Sequence, residues 1–189
     1  MRYLNVGCGT NIKEGFLNLD YNWRPGIDIC WDIRKKLPLP DNFLQGIFAE
    51  HCLEHITYFE CVAFLKEAYR TLLPGGTIRI VVPDGGLYIH LYQRSQIGEV
   101  VEFPYVEKEG LDDKVEDSLI CFTPMMAINR IFRGYGHQFA YDYETLSAIL
   151  THAGFTDMQR VSFMVGRDEV LLIDSEVRRP QSLYVEATK

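Results

Sequence analysis

The stretch Leu4-Asn5-Val6-Gly7-Cys8-Gly9-Thr10-Asn11 constrains this chain more than any other. It reads as a short buried strand running straight into a turn that carries two glycines one residue apart. Glycines at that spacing let the backbone turn sharply and approach a ligand with no Cβ in the way. Taken alone the signal is weak, because any tight turn uses glycine. The residues downstream of it decide its meaning.

Phe16-Leu17-Asn18-Leu19 is a second strand candidate, ending on Asp20. Between Gly9 and Asp20 there is too little chain for a crossover helix with its loops, since helices average about three turns. Ile27-Asp28-Ile29-Cys30, closed by Trp31-Asp32, is a third strand, and the prolines of Lys35–Asp41 mark a loop. Gly46-Ile47-Phe48-Ala49 is a fourth strand ending at Glu50-His51. Thr57-x-x-Glu60 is a capping box opening a helix, with Val62, Leu65, Tyr69 and Leu72 as its buried stripe and Pro74-Gly75-Gly76 as its stop. Thr77–Val82 is a continuous apolar, β-branched run, as suits a central parallel strand. A helix beginning near Leu87–Tyr92, an acidic aperiodic stretch from Val100 to Asp117 and a short helix within Ile120–Phe132 read as an elaboration over the sheet. Gly134–His137 is a turn. Asp142 caps a helix lined by Leu146, Ile149, Leu150 and Ala153, with Gly154 as its stop. Phe155–Val165 is a strand with its core at Met158–Val165, Leu171–Pro180 a charged connection, and Ser182–Ala187 the last strand. Strand and helix in alternation predict an α/β sheet.

The chain's 189 residues, 47% of them hydrophobic, suffice for one well-buried core and predict a single domain over 1–189. A formal charge of -7 disfavours loose binding to nucleic acid or to an anionic membrane, so neither is expected as a partner. No apolar run reaches the roughly 20 residues that span a bilayer, and no signal-peptide pattern is visible. The five cysteines (Cys8, Cys30, Cys52, Cys61 and Cys121) contain no C-x-x-C pair. They suit reduced thiols, and the expected location is the cytoplasm.

Six segments in order resemble class I S-adenosylmethionine-dependent methyltransferases. Leu4–Asn11 looks like their first motif, and Asp20 matches the acidic residue closing the second strand. Asp32-Ile33, followed by Leu37-Pro38 and Asp41, matches the third-strand acidic motif and its loop. Phe48–Ile56 resembles the fourth strand with its L-E-H continuation, Leu72–Gly76 the turn before the fifth, and Ala153-Gly154-Phe155 the opening of the sixth. The resemblance implies a Rossmann-like, doubly wound, mostly parallel seven-stranded sheet with a shortened first crossover. It thins out over about 86–133, the elaboration. The implied cofactor is S-adenosylmethionine, held by Asn5, Gly7, Cys8, Gly9, Asp20, Asp32, Ile33 and Glu50. Asp20 would take the ribose hydroxyls, and Asp32 with Ile33 the adenine edge. Two flanks depart from the family, which usually has an acidic residue at the position of Asn5 and often a glycine at that of Asn11.

A dinucleotide dehydrogenase fits less well: the third glycine of its fingerprint is Ile12 here, and Asp20 comes too early. His51-Cys52-Leu53-Glu54-His55 matches an inverted zinc-protease string, but the cap at Thr57 starts the helix after it. The same string is similar to E-x-x-E-H in methyltransferases of small-RNA ends and quinone precursors, where it carries a divalent metal. Here His51 replaces the first Glu and His137 is available as a fourth ligand, while the bland role of Glu54 and His55 is to organise the turn. The expectation from sequence is of no metal. Transfer to a hydroxyl needs a base, for which the candidates are His51, then His137, then Glu50. Tyr88, Tyr92, Phe103, Tyr105, Phe122 and Met125 make the elaboration either a lid over the acceptor or a homodimer surface. The expected activity is methyl transfer to a small-molecule or sugar-type acceptor, at a hydroxyl because no N-P-P-Y-like motif follows strand four. The alternative is a non-catalytic cofactor-binding or scaffold domain of the same fold.

Overall fold

A computed structural model describes residues 2–104 and 123–189. Tyr105, Phe122, Cys121 and most of the acidic stretch of the elaboration lie outside the described residues. Seven strands form one sheet: β1 (Tyr3–Val6), β2 (Phe16–Asp20), β3 (Ile29–Cys30), β4 (Leu44–Glu50), β5 (Leu72–Pro83), β6 (Thr156–Val161) and β7 (Ser182–Thr188). Their order is β3-β2-β1-β4-β5-β7-β6, with only β7 antiparallel to its neighbours. This is the Rossmann-like, mostly parallel seven-stranded sheet that the sequence predicts. The connection from Gly7 to Gly15 holds no helix, so the first crossover is indeed shortened.

The sheet's two faces are built differently. On one, Leu4, Val6, Ile47, Ala49, Ile78, Ile80, Val82, Leu183, Val185 and Ala187 alternate inward along their strands and meet α1 (Tyr58–Thr71) and α4 (Tyr143–Ala153). On the other, Tyr3, Phe48, Val81 and Tyr184 pack beneath Phe163, Val170, Leu171 and Ile173 of the β6–β7 connection. That connection is pinned by an ion triad wholly removed from water. Arg79 of β5 donates to both oxygens of Asp174 and to Glu186 at 2.8 Å, and its remaining hydrogens reach the Ser162 and Val165 carbonyls at 3.1 and 3.0 Å. A bare buried charge would be costly; here every ion is paired and hydrogen-bonded.

Both helix caps are as the sequence predicts. Thr57 N–H donates to Glu60 at 2.8 Å and Thr57 Oγ1 accepts from Glu60 N–H, while Asp142 accepts from Thr145 N–H and Gly154 closes α4 at φ +106°. The stripe of α1 is rotated by about one residue from the expected one: Cys61, Phe64, Leu65 and Ala68 are buried, whereas Val62 and Tyr69 flank them. Leu72–Gly76 do not merely stop the helix; they open β5, where Leu72 pairs with Leu44. β6 is shorter than the expected 155–165 and largely exposed, because it lies at the sheet edge with β7 on one side only.

Beyond β5, α2 (Gly85–Gln96) and α3 (Pro124–Arg133) pack on each other through Tyr88, Leu91, Phe103, Ala127 and Ile131. They form a satellite cluster at the carboxyl ends of the strands. No helix among the described residues is long and apolar enough to cross a membrane.

Candidate active site

Strand order reverses direction between β1 and β4, and open α/β sheets bind ligands in the crevice at such a switch point. Register pairs Val6 with Ala49, so the turn after β1 and the turn after β4 leave the sheet side by side. They touch at Gly7, whose φ of +63° is left-handed and where a Cβ would stand 2.3 Å from Cys52 Sγ. Only glycine meets both conditions.

Two clefts open at this edge. The first, about 380 Å³, is lined by Gly7, Asp20, Tyr21, Trp31, Asp32 and Ile33 on one side and by His51, Cys52, His55 and Ile56 on the other. The second, about 290 Å³, lies between the β4 turn and the satellite helices, lined by His51, Glu54, His55, Tyr88, Arg130, Tyr135, His137 and Arg178. His51 and His55 belong to both.

The first cleft owes its shape to local hydrogen bonds. Asp20 accepts from Gly9 N–H at 2.8 Å and from Asn22 N–H at 2.9 Å, leaving part of its acceptor capacity for a ligand. Asp32 grips Arg34 by two oxygens at 2.8 and 2.9 Å, and this bond holds its carboxyl below the usual range. Asn5, expected among the cofactor contacts, is turned elsewhere. It is buried, donating to Asn11 O at 2.9 Å and to Asn18 Oδ1 at 3.0 Å, and Asn18 in turn bonds both Lys13 N–H and Lys13 O. This amide pair fixes the loop where a first helix would otherwise stand. Neither Cys8 nor Gly9 lines the cleft; both shape the turn beneath it, with the Cys8 thiol pushed up to about 11 mainly by burial.

Glu50, expected at both cofactor and catalytic positions, lines neither cleft. Its carboxyl accepts from Ser175 N–H at 2.8 Å, and burial raises its pKa. His51 follows it in a left-handed conformation (φ +48°), with its N–H bonded to Val81 O at 2.8 Å. Its Nε2 lies 2.8 Å from Ser182 Oγ, which donates its own hydrogen to Arg178 O at 2.7 Å. Ser182 therefore accepts from Nε2–H, and Nδ1 is left with its lone pair, 3.4 Å from Glu54 Oε1. Burial first, then the positive charge of Arg178, pushes the His51 pKa down to about 2, so the ring is neutral at pH 7.

Glu54 and His55 sit in a single 3-10 turn, Leu53–His55. Glu54 is 1% exposed, and burial pushes its carboxyl up to about 8. His137 comes from the far side of α3: Gln138 N–H donates to Glu54 O at 2.7 Å and the Gln138 amide to His55 O at 2.8 Å, clamping its segment to the turn. The His55 and His137 rings meet edge to face with centroids 4.9 Å apart, and burial is the main cause lowering both pKa values. Of the three expected bases, His51 and His137 thus share a cleft and Glu50 does not. Sequence reasoning passes over Arg178 and Ser182, and it gives Glu54 no role beyond the turn and a doubtful metal string. Nothing local marks them, because they reach the site through contacts such as Ser182 to His51.

Comparison with known proteins agrees with this fold. Residues 8–80 match the family model described as "Methyltransferase domain". The whole chain superposes on a SAM-dependent methyltransferase from Archaeoglobus fulgidus (20% identity, 86% of that chain, TM-score 0.57). It likewise matches one from Thermotoga maritima (15%, 82%, 0.61) and one from Mesorhizobium loti (15%, 90%, 0.57), in each case over 100% of its own length. No curated protein sequence matches the chain. The family match over residues 8–80 and the shared fold together support a class I S-adenosylmethionine-dependent methyltransferase, with S-adenosylmethionine as the implied cofactor.

Proposed function

We propose that the enzyme methylates a hydroxyl of a small-molecule or sugar-type acceptor held in the second cleft, with His51 as the base. One observation carries the reading: His51 and His55 are walls of both clefts, so groups bound one in each cleft meet there. The first cleft fits the cofactor. Asp20 has lone pairs to spare for two ribose hydroxyls, Asp32 and Ile33 flank the adenine edge, and Gly7 lets the backbone run close to the methionine portion. When bound, the cofactor supplies an electrophilic methyl on a sulfonium.

The chain's own part is alignment and proton handling. Holding acceptor and methyl in line supplies much of the rate. Nε2–H of His51 is engaged with Ser182, so Nδ1 is the nitrogen open to take the hydroxyl proton. Arg178 lines the same cleft and favours the negative charge that grows on the acceptor oxygen as the proton leaves. Within a single 1–189 domain, α2 and α3 complete the acceptor side, Tyr88 and Arg130 reaching the cleft from them. Their described aromatics serve as a lid rather than a dimer face.

His51→Asn tests this, since asparagine tolerates the left-handed backbone. Loss of the base is expected to lower kcat by about 10²–10⁴ with little change in cofactor affinity. Turnover of a hydroxyl acceptor at the wild-type rate would refute the assignment.

A further inference from the structure

The Glu54 carboxyl is sealed from solvent, and neither of its oxygens has a hydrogen-bond partner among the described residues. A polar group in that position costs stability unless something binds it. Three imidazoles surround it: His51 Nδ1 lies 3.4 Å from Oε1, and Nε2 of His55 and of His137 each lie 4.0 Å away. Ligand atoms of Glu54, His55 and His137 all fall within 4.8 Å of one another.

The tautomers point the same way. His137 Nδ1 is 2.8 Å from the Ile131 carbonyl, which can only accept, so Nδ1 carries the hydrogen and Nε2 turns a lone pair toward Glu54. A histidine whose other nitrogen donates to a backbone carbonyl is oriented as metal-binding histidines are. Two donor atoms on one zinc ion stand at most about 4.2 Å apart, given bonds near 2.1 Å. The Glu54–His55 and Glu54–His137 separations already meet that limit.

We propose that Glu54, His55 and His137 bind one divalent transition-metal ion of the zinc type on the wall of the acceptor cleft. Two imidazoles and one carboxylate suit zinc, cobalt or iron, whereas magnesium prefers oxygen ligands and several waters. Three protein ligands leave a coordination position open. Glu54, His55 and His137 all line the second cleft, and His55 is partly exposed, so an ion held by them stands at that cleft's wall. His51 stands beside the set, and Arg178, a cation in the same cleft, opposes the ion's charge. The site goes beyond the hydroxyl-transfer reading and does not depend on it.

The test uses the full chain, stripped with chelator and desalted, with no cofactor or acceptor present. Zinc titrated against a chromophoric chelator should bind at one equivalent, and cobalt should give a visible absorption band. Glu54→Gln, which preserves shape, and His137→Ala should each weaken zinc by at least about tenfold, while His152→Ala on exposed α4 surface should not. Arg178→Gln should tighten it. Should His137→Ala fail to fold, Glu54→Gln with native circular dichroism decides alone. Absence of zinc binding and of the cobalt band in folded protein would overturn the proposal, as would binding that survives Glu54→Gln. Because the readout is metal alone, failure here leaves the methyl-transfer reading standing, and failure of methyl transfer leaves this result untouched.

Discussion

The two clefts that meet at His51 are made in opposite ways. The first is assembled largely from one stretch of sequence: Gly7, Asp20 and Asp32 close three successive strands, Asn22 and Arg34 tie the two carboxylates down from two residues away, and Gly9 holds Asp20 across eleven. The second draws on Glu54, Tyr88, Arg130, His137 and Arg178, brought together by the sheet order, the β6–β7 connection, the α2–α3 packing and the Gln138 clamp. A cleft written locally should fail locally. A cleft written by long-range packing should fail when a distant anchor is cut.

Arg79→Leu is the severest cut. It strands Asp174 and Glu186 as buried unpaired carboxylates, and the loss of one partner of such a set costs about 3–5 kcal/mol. Chemical denaturation should register that loss. The connection carrying Arg178 should loosen as well, so acceptor KM rises more than cofactor affinity falls. Equal damage to both clefts would break the comparison.

Asp20→Ala acts on the other side. Hydrogen bonds to a charged group contribute about 1.5–3 kcal/mol, and Asp20 also holds Gly9. Calorimetry with S-adenosylmethionine or its demethylated product should show affinity falling by about ten- to a hundredfold, with zinc binding at Glu54 unchanged.

Gly7→Ala should cost about 1–3 kcal/mol through its left-handed backbone and the clash with Cys52 Sγ. Adding Cys52→Gly should recover only the part due to the clash, which thermal melts of the single and double variants would separate. The smallest effect belongs to Thr57→Ala, which removes the cap of α1 for about 1 kcal/mol and should leave both ligand affinities unaltered.

The same contrast explains what could be read from the chain. Glycine turns, the Thr57 and Asp142 caps and the acidic strand ends are local physics, and they stand where the sequence puts them. Asn5 departs from its expected role because its amide pairs with Asn18 across the β1–β2 pair. Glu50 departs from its own because Ser175, far along the chain, takes its carboxyl. β6 reads as a core strand by composition, yet an edge position exposes it, and no periodicity reveals which strand will be outermost. Arg178 lies in what reads as a charged connection, and the buried Arg79 triad, with the Ser175 bond to Glu50, gives that connection a fixed course.

A crystal structure with the demethylated cofactor bound tests most directly whether cofactor and acceptor meet across the His51–His55 wall. Adenine is expected beside Asp32 and Ile33, ribose on Asp20, and the sulfur at the end of the first cleft nearest His51. A ligand lying in the second cleft, or one with adenine against His51, would contradict that meeting.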